Sequence, residues 1–212
     1  MAAKAGALLS ALASPVASTI DLMASFSILV GYLAGSVPFA FLLARRAGID
    51  VRQVGSRNVG AANVLRNTGV GRALLVMVLD VAKGAAAVGL AHASTGGSGV
   101  AALTGAAAVV GHIYPVWLRF HGGKGVAVAA GVFAILTPLA TAIAMTIFLV
   151  IVSGTRYVSL GSVAATLALP PAAWLTGAPA AVVGAAAGTA VLILFRHRAN
   201  LRRLTEGTER KI

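Results

Sequence analysis

The sequence lacks cysteine altogether, and charged residues make up only 10% of its 212 residues. Without cysteine the chain has no disulfide, no thiol nucleophile and no thiolate ligand for a metal. Acidic residues are scarcer than basic ones, at 5 against 17 lysines and arginines. That shortage disfavours a paired-carboxylate active site and a carboxylate-rich metal site. We therefore predict no metal and no cofactor.

Apolar residues dominate what is present. They make up 58% of the chain, and the mean hydropathy is +0.92. The apolar runs approach the ~20 residues that a helix needs to cross a bilayer. The sequence therefore predicts an all-α polytopic membrane protein. In that setting the net charge of +12 indicates membrane topology, contact with anionic lipid and an anionic substrate, rather than nucleic acid.

The apolar runs predict seven transmembrane helices. The first contains glycines at 31 and 35, a spacing that allows close helix packing, and Pro38, which we expect to kink the helix or to loosen its backbone hydrogen bonds. The second carries Asp80 and Lys83 on one face as an internal pair, which either marks a functional site or is a structural ion pair near one interface. The spans are predicted at Leu22–Ala44, Ala73–Ala93, Val100–Leu118, two helices within 126–152, Tyr157–Leu175 and Ala180–Phe195.

The segment 126–152 is too long for one comfortable span, and Thr137-Pro138 lies near its middle. Two helices joined there would place every basic loop, together with the basic tail, on the same side of the membrane. By the positive-inside rule that side is cytoplasmic, with the N-terminus outside and the C-terminus inside. The predicted organisation is an N-terminal extension (1–20), a seven-helix membrane domain (21–197) and a basic cytoplasmic tail (198–212).

Three polar stretches meet on the predicted cytoplasmic face. They are GSRNVGAANVLR at Gly55–Arg66, GGKG at Gly122–Gly125 with His112 nearby, and RHRAN at Arg196–Asn200. Together they offer backbone N–H groups, amides, cations and histidines, which suit phosphate binding and the stabilisation of negative charge. The GGKG stretch lacks the full GxxxxGK[ST] pattern, so it is not a nucleotide-binding P-loop.

Several longer motifs resemble one family. GYLAGSVPFAFLLAR (31–45), GSRNVGAANVLRNTG (55–69), GHIYPVWLRFHGGKGVAVA (111–129), RYVSLGS (156–162) and HRANLRRLTEGTERK (197–211) occur in order. This set is similar to the PlsY-type acylphosphate:glycerol-3-phosphate acyltransferases of bacterial phospholipid synthesis. The resemblance covers nearly the whole chain from about residue 26.

The resemblance implies a seven-helix enzyme of the bacterial inner membrane with its active site facing the cytoplasm. It would transfer a fatty acyl group from acyl phosphate to the 1-hydroxyl of glycerol 3-phosphate, giving lysophosphatidic acid and phosphate. It also implies contact with membrane lipid and a functional link to the enzyme that makes acyl phosphate. The His-x-x-x-x-Asp pattern of another glycerol-phosphate acyltransferase class is absent.

The family motifs and the polar stretches together name the candidate site residues. The predicted catalytic residues are Ser56, Arg66, Lys124, His197 and Asn200. The predicted substrate- or phosphate-binding residues are Ser36, Gly55, Asn58, Gly60, Asn63, His112, Gly122 and Gly123. For Asn58 and Asn63, helix capping is an equal alternative. The positions of most other arginines are explained by the predicted membrane topology. Glu209 is expected to have a structural role.

The sequence departs from the family pattern at four positions. Arg57 stands where the family usually has glycine, Ala62 and Val128 where it usually has threonine, and His121 where lysine is common. Arg57 matters most, because an arginine adopts a positive φ only at a cost.

Two questions stay open from the sequence. His197 could accept the proton of the attacking hydroxyl, or the phosphate of the donor could take it while His197 only binds. The alternative function is a membrane transporter for a phosphate-bearing anion, because glycine-broken helices and basic loops occur there too.

Overall fold

The structure is a computed structural model that describes residues 22–212; the predicted N-terminal extension, 1–20, lies outside the described residues. The described part of the chain is helical and contains no β-strand. Its helices are α1 (22–36), α2 (Phe39–Arg45), α3 (Ala61–Thr68), α4 (Val70–Thr95), α5 (Ser98–Ile113), α6 (Val126–Leu136), α7 (Pro138–Thr155), α8 (Val158–Leu175) and α9 (Ala180–Thr205), with a short 3-10 helix at Val116–Leu118.

Six helical segments of the described chain are long and apolar enough to cross a bilayer. They correspond to the predicted first, second, third, fifth, sixth and seventh spans. The predicted break at Thr137-Pro138 is confirmed, because α6 ends at Leu136 and α7 begins with Pro138. At 11 residues α6 extends about 16 Å, short of the ~30 Å hydrocarbon core. Seven full spans and their orientation stay predictions.

Proline and glycine shape the first span. Residues 37 and 38 are not helical, so the helix breaks at Pro38 between α1 and α2. Gly31 and Gly35 pack directly against α5, where a Cβ would strike the backbone of Thr104 and of Ala108. The close packing predicted from their spacing is therefore confirmed.

A second close approach joins α4 to α6. A Cβ at Gly84 would strike the Val128 carbonyl, and a Cβ at Gly131 would strike the Val81 carbonyl. The core between α4, α5, α6 and α9 is built mostly of alanine and valine, with Phe133 fully buried in it. Small residues thus hold the helix backbones in contact and set the distance between the elements that carry the site.

The tail does not begin a new element. Helix α9 runs without a break from Ala180 to Thr205, across the predicted domain boundary at 198. After α9 the chain folds back onto the start of α8: the Ile212 N–H donates to the Arg156 carbonyl at 3.0 Å, and Arg156 Nε donates to the Ile212 carbonyl at 2.7 Å. Residues 206–212 therefore cover one end of the helix bundle. The division into membrane domain and tail stays a prediction.

Candidate active site

The loop before α3 is organised by one buried side chain, Asn63, which is 1% exposed. Its Oδ1 accepts hydrogen bonds from the Ser56 N–H at 3.0 Å and from Asn67 Nδ2 at 3.1 Å. Its Nδ2 donates to the carbonyls of three loop residues, Val51, Val54 and Asn58. The N-cap of α3 is Gly60, so neither asparagine caps this helix. The Asn63 amide is fully engaged in shaping the loop.

Backbone conformation fixes the tip of that loop. Gly55 has φ of 59°, and a Cβ there would strike Asn63 Oδ1. Arg57 has φ of 58°, in the left-handed region, at a cost of about 1–2 kcal/mol for a residue with a Cβ. The loop therefore keeps the conformation that glycine would favour although arginine stands there, and it leaves Ser56 exposed.

The glycine-rich turn between the 3-10 helix and α6 is bonded to the end of α5. The N–H groups of Gly122 and Gly123 donate to the carbonyls of Ile113 and His112, at 3.0 and 3.1 Å. Both glycines are buried; a Cβ at Gly122 would strike the His112 carbonyl, and a Cβ at Gly123 would strike His112 Nε2. The turn delivers Lys124 to the N-terminal end of α6.

The third stretch lies on α9. His197 is 2% exposed, and its Nδ1 donates to the Ile193 carbonyl at 2.8 Å. A carbonyl can only accept, so Nδ1 carries the hydrogen and Nε2 has a free lone pair. One turn later, Asn200 accepts a hydrogen bond from Lys124 Nζ. The glycine-rich turn and α9 therefore meet at this pair.

Glu209, expected from the sequence to be structural, lies in the same cluster. Its carboxylate accepts hydrogen bonds from Asn200 Nδ2 at 2.6 Å, Ser159 Oγ at 2.9 Å and Arg203 Nε at 2.7 Å. Burial by itself raises the pKa of Glu209, but these hydrogen bonds outweigh it and hold the pKa below its ordinary value. Glu209 is therefore the negative charge around which the cations of the site are arranged.

Sequence reasoning missed the part played by Glu209 and Ser159 in this cluster. Glu209 follows the end of α9, where no helical periodicity relates it to Asn200. The one available signal is that it is among the few carboxylates on the basic face of the chain.

These elements enclose a cavity of about 470 Å³. One part of its wall is polar and cationic, and the rest is apolar, with Met77, Phe133, Phe148 and Leu169 among its members. Most of the predicted site residues line it together: Ser56, Arg66, Lys124, His197, Asn200, Gly55, Asn58, Gly60, Asn63 and His112.

Three predicted binding residues lie elsewhere. Ser36, Gly122 and Gly123 line a much smaller neighbouring cavity beside His112 and Pro115. Ser36 is fully buried, and its hydroxyl donates to the Leu33 carbonyl at 2.7 Å. The structure does not bring these residues into the large cavity, and a role for them in binding substrate stays a prediction.

One cation of the cavity, Arg66, has a buried donor without an acceptor within residues 22–212. Arg66 Nε is buried and has no hydrogen-bond partner among the described residues, and its terminal nitrogen donates to the Arg210 carbonyl at 3.2 Å. Burial lowers the pKa of Arg66, although nearby Glu209 opposes the shift. Burial also lowers the pKa of Lys124 to about 8, again against the pull of Glu209. An anion placed here would relieve a cost of about 1–3 kcal/mol for each buried unpaired donor.

Replacing Glu209 tests its place in this cluster. In Glu209→Gln the charge that pairs with Arg203 is lost, so we expect the free energy of unfolding to fall by about 1–3 kcal/mol. The matched control is Glu206→Gln, because Glu206 is 47% exposed and pairs with Arg202 on the surface. That exchange should change stability by no more than about 1 kcal/mol. Thermal unfolding in detergent measures both; equal shifts would contradict a central position for Glu209.

Comparison with known proteins places this fold and cavity in a family. The glycerol-3-phosphate acyltransferase family profile matches residues 25–207. The chain is 46% identical over 189 residues to the glycerol-3-phosphate acyltransferase of Rubrobacter xylanophilus, covering 87% of this chain and 92% of that one. It is 45% identical over 184 residues to the corresponding protein of a Synechococcus strain, covering 86% and 92%.

Two solved structures lead to the same family. The chain is similar to PlsY (YgiH), an integral membrane glycerol 3-phosphate acyltransferase, in its glycerol 3-phosphate form, with a TM-score of 0.86 and 40% identity over 89% of this chain and 95% of that one. The lysophosphatidic acid form gives a TM-score of 0.84 at 39% identity over the same shares. The family prediction drawn from the motifs is thus confirmed. This chain belongs to the glycerol-3-phosphate acyltransferase family, as an integral membrane acyltransferase of the PlsY type.

Proposed function

We propose that this protein transfers a fatty acyl group from acyl phosphate to the 1-hydroxyl of glycerol 3-phosphate, releasing lysophosphatidic acid and inorganic phosphate. The observation that carries the proposal is the composition of one cavity wall. That wall carries several fixed cations, one of which, Arg66, has a buried donor without a partner in the described part of the chain, and it also carries many apolar side chains. Both substrates carry a phosphate, and one also carries a fatty chain. Family membership favours this enzyme over the transporter alternative.

The cationic part of the wall would hold the phosphates. Arg66 and Lys124 offer charged donors, and Ser56, exposed at the tip of its loop, offers a hydroxyl. Asn200 would orient glycerol 3-phosphate. Its amide already bridges Lys124 and Glu209, so its position is set before substrate binds. Preorganised donors of this kind stabilise developing charge without reorganising during the reaction.

The apolar part of the wall would take the fatty chain. Helix α6 begins at Val126, directly after the glycine-rich turn, and Phe133 lies about 10 Å further along its axis. Phe133 therefore lines a part of the cavity remote from Lys124, and Phe148 and Leu169 add apolar surface to the same wall. An acyl chain buried there gains about 0.8 kcal/mol for each CH₂ removed from water.

Acyl phosphate suits this set of residues as a donor because it is already activated. The acceptor oxygen would attack the acyl carbonyl carbon, the bond from that carbon to the phosphate oxygen would break, and phosphate would leave with the bonding electrons. No covalent acyl-enzyme is needed, and positioning with charge stabilisation suffices. We propose His197 Nε2 as the acceptor of the hydroxyl proton, because Nδ1 is bonded to Ile193 and Nε2 has the free lone pair.

The basic loops support a membrane orientation. The turn carrying Lys124, the loop before α3 and the end of α9 line one cavity, so they lie on the same side of the bundle. The positive-inside rule favours the cytoplasmic side for them, in the bacterial inner membrane. Membrane lipid would then surround the exposed apolar faces, and the enzyme that makes acyl phosphate would supply substrate from the cytoplasm.

Activity assays with purified protein in detergent test which compound is the acyl donor. Acyl phosphate and glycerol 3-phosphate should yield lysophosphatidic acid and inorganic phosphate in equal amounts, while acyl-coenzyme A and acyl-carrier protein should yield neither. Arg66→Gln, in a preparation with an unchanged unfolding temperature, should lower kcat/KM at least about tenfold because a charged hydrogen bond to phosphate is lost. Turnover with acyl-coenzyme A alone, or none in a folded preparation, would show the donor assignment to be wrong.

His197→Gln tests the proton acceptor. A glutamine keeps a polar group in the same space but is a far weaker base, so we expect kcat to fall about 10²- to 10⁴-fold with a smaller effect on KM. Near-normal kcat with a raised KM would mean that His197 only binds, and that the phosphate of the donor takes the proton.

Lys124 should impose a pH dependence on substrate capture. Because burial lowers its pKa to about 8, the positive charge is present below pH 8 and is lost as the pH rises above it, earlier than in an ordinary lysine. We expect kcat/KM for glycerol 3-phosphate to fall up to about tenfold per pH unit above that point, since kcat/KM reports the free enzyme. In Lys124→Arg the charge persists at every accessible pH, so this fall should disappear. Parallel profiles for the two proteins would exclude Lys124 as the titrating group.

A further inference from the structure

A buried group of three titratable side chains lies beside the cavity and has no role in the scheme above. Asp80 and Lys83 lie on α4, and His112 lies in the last turn of α5; all three are at most 9% exposed. Lys83 Nζ lies 2.8 Å from Asp80 Oδ1, so the internal pair predicted from the sequence is confirmed. Asp80 Oδ1 makes no well-aligned hydrogen bond, which leaves the donors of Lys83 for other acceptors.

Those acceptors come from two other helices. Lys83 Nζ donates to the Val37 carbonyl at 2.8 Å and lies 3.1 Å from His112 Nδ1. Val37 stands at the break before Pro38, and its carbonyl accepts the Phe39 N–H at 3.2 Å as well as Lys83. Lys83 therefore links the break after α1, helix α4 and the end of α5 at one point.

The contact with Lys83 sets the tautomer of His112. An ammonium group has donors only, so a hydrogen bond to His112 requires an unprotonated Nδ1. A protonated Nδ1 would instead need Asp80 as its acceptor, and Asp80 Oδ1 is 3.6 Å away, further than Lys83. The neutral ring then carries its hydrogen on Nε2.

The Nε2 edge of that ring lies against the glycine-rich turn that carries Lys124. A Cβ at Gly123 would strike His112 Nε2, so the ring edge lies directly over the glycine that precedes Lys124. His112 also lines the large cavity, and the structure records no partner for Nε2 among the described residues. His197 shows the opposite arrangement, with Nδ1 protonated and Nε2 free to accept. The cavity is thus lined by one histidine that carries its hydrogen on Nε2, His112, and one that carries it on Nδ1, His197.

We propose that His112 donates a hydrogen bond from Nε2 to the acyl carbonyl oxygen in the transition state, and that Lys83 and Asp80 are positioning residues that hold its ring in the required tautomer. This inference rests on the proposed acyl transfer. Attack of the hydroxyl oxygen forms a new carbon–oxygen bond and moves the carbonyl electron pair onto oxygen. A neutral N–H held in place stabilises that oxygen without giving up its proton.

The position of His112 along the cavity wall matches the place that the acyl carbonyl would take. Asp80 lines the same cavity as its α4 neighbours Met77 and Val81, which are apolar, while Lys124 follows Gly123 on the cationic side. His112 therefore lies where the cationic wall passes into the apolar wall. The carbonyl of acyl phosphate is likewise the junction between its phosphate and its fatty chain.

Nuclear magnetic resonance on the full chain labelled with ¹⁵N-histidine tests the tautomer without any turnover. The His112 signals are identified by their loss in His112→Gln. We expect Nε2 to be protonated and Nδ1 unprotonated in the wild-type protein. In the double variant Asp80→Asn/Lys83→Met, which leaves no buried charge unpaired, we expect a mixture of both tautomers. Lys211→Met, a change at an exposed lysine, should leave the His112 signals unaltered.

A matched pair of His112 variants tests, by steady-state kinetics, whether His112 acts as a hydrogen-bond donor. The amide nitrogen of glutamine reaches the place of Nε2, whereas that of asparagine reaches only the place of Nδ1. We expect His112→Asn to lower kcat about 100-fold or more with little change in KM. His112→Gln should recover most of that loss, leaving kcat within about tenfold of the wild type.

The two experiments separate this inference from the proposed function. A wild-type His112 protonated on Nδ1 would overturn the inference even if acyl transfer is normal. Equal losses of kcat in the two His112 variants, or an effect confined to KM, would also overturn it. If the wild-type protein shows no acyl transfer, the proposed function fails and the donor role fails with it, while the resonance measurement still decides the roles of Lys83 and Asp80.

Discussion

The structure depends on keeping several cations close together at the wall of an apolar cavity. Arg66, Lys124 and Arg203 line the same space, and Glu209 is the carboxylate that touches it from the tail. Like charges at this separation repel one another, and burial makes each charge costlier. The fold must therefore hold them by other means until an anionic substrate arrives. The return of the tail over the helices brings Glu209 to these cations, and Asn200 bridges Lys124 to Glu209.

Close backbone packing supplies the rigid frame. Glycines at 31, 35, 84 and 131 let α1 meet α5 and let α4 meet α6 with no side chain between the backbones. These crossings fix the ends of α5 and α6, between which the glycine-rich turn is bonded to Ile113 and His112. Lys83 adds a hydrogen bond to the Val37 carbonyl at the break after α1. The site thus lies on elements whose separation is set by small residues and by a few buried polar contacts, rather than on a free loop.

Much of this could be predicted from the sequence, and the rest could not for identifiable reasons. The GxxxG spacing, the division at Thr137-Pro138 and the Asp80–Lys83 pair are local patterns, and each is found in the structure. The disturbance expected at Pro38 is also local, and it is a full break in the helix rather than a kink. Ten of the thirteen site residues predicted from the motifs and polar stretches line the cavity, whereas their roles stay predictions. Glu209 was not recognised, because its partners Ser159 and Asn200 are brought to it by the return of the tail, which no periodicity encodes. Ser36 is predicted as a binding residue from its motif, and the structure places it outside the large cavity, with its hydroxyl donating to the Leu33 carbonyl of its own helix.

The central claim is that the cationic part of the cavity wall binds the phosphates of the substrates, with Arg66 as one of its main charges. Titration calorimetry of glycerol 3-phosphate against Arg66→Gln and against the surface control Arg72→Gln tests this most directly. Arg72 is exposed and bonded to the Thr68 carbonyl, outside the cavity. The account predicts that the dissociation constant rises at least about tenfold for Arg66→Gln and stays within about twofold for Arg72→Gln. Equal affinities for wild type and Arg66→Gln would contradict it.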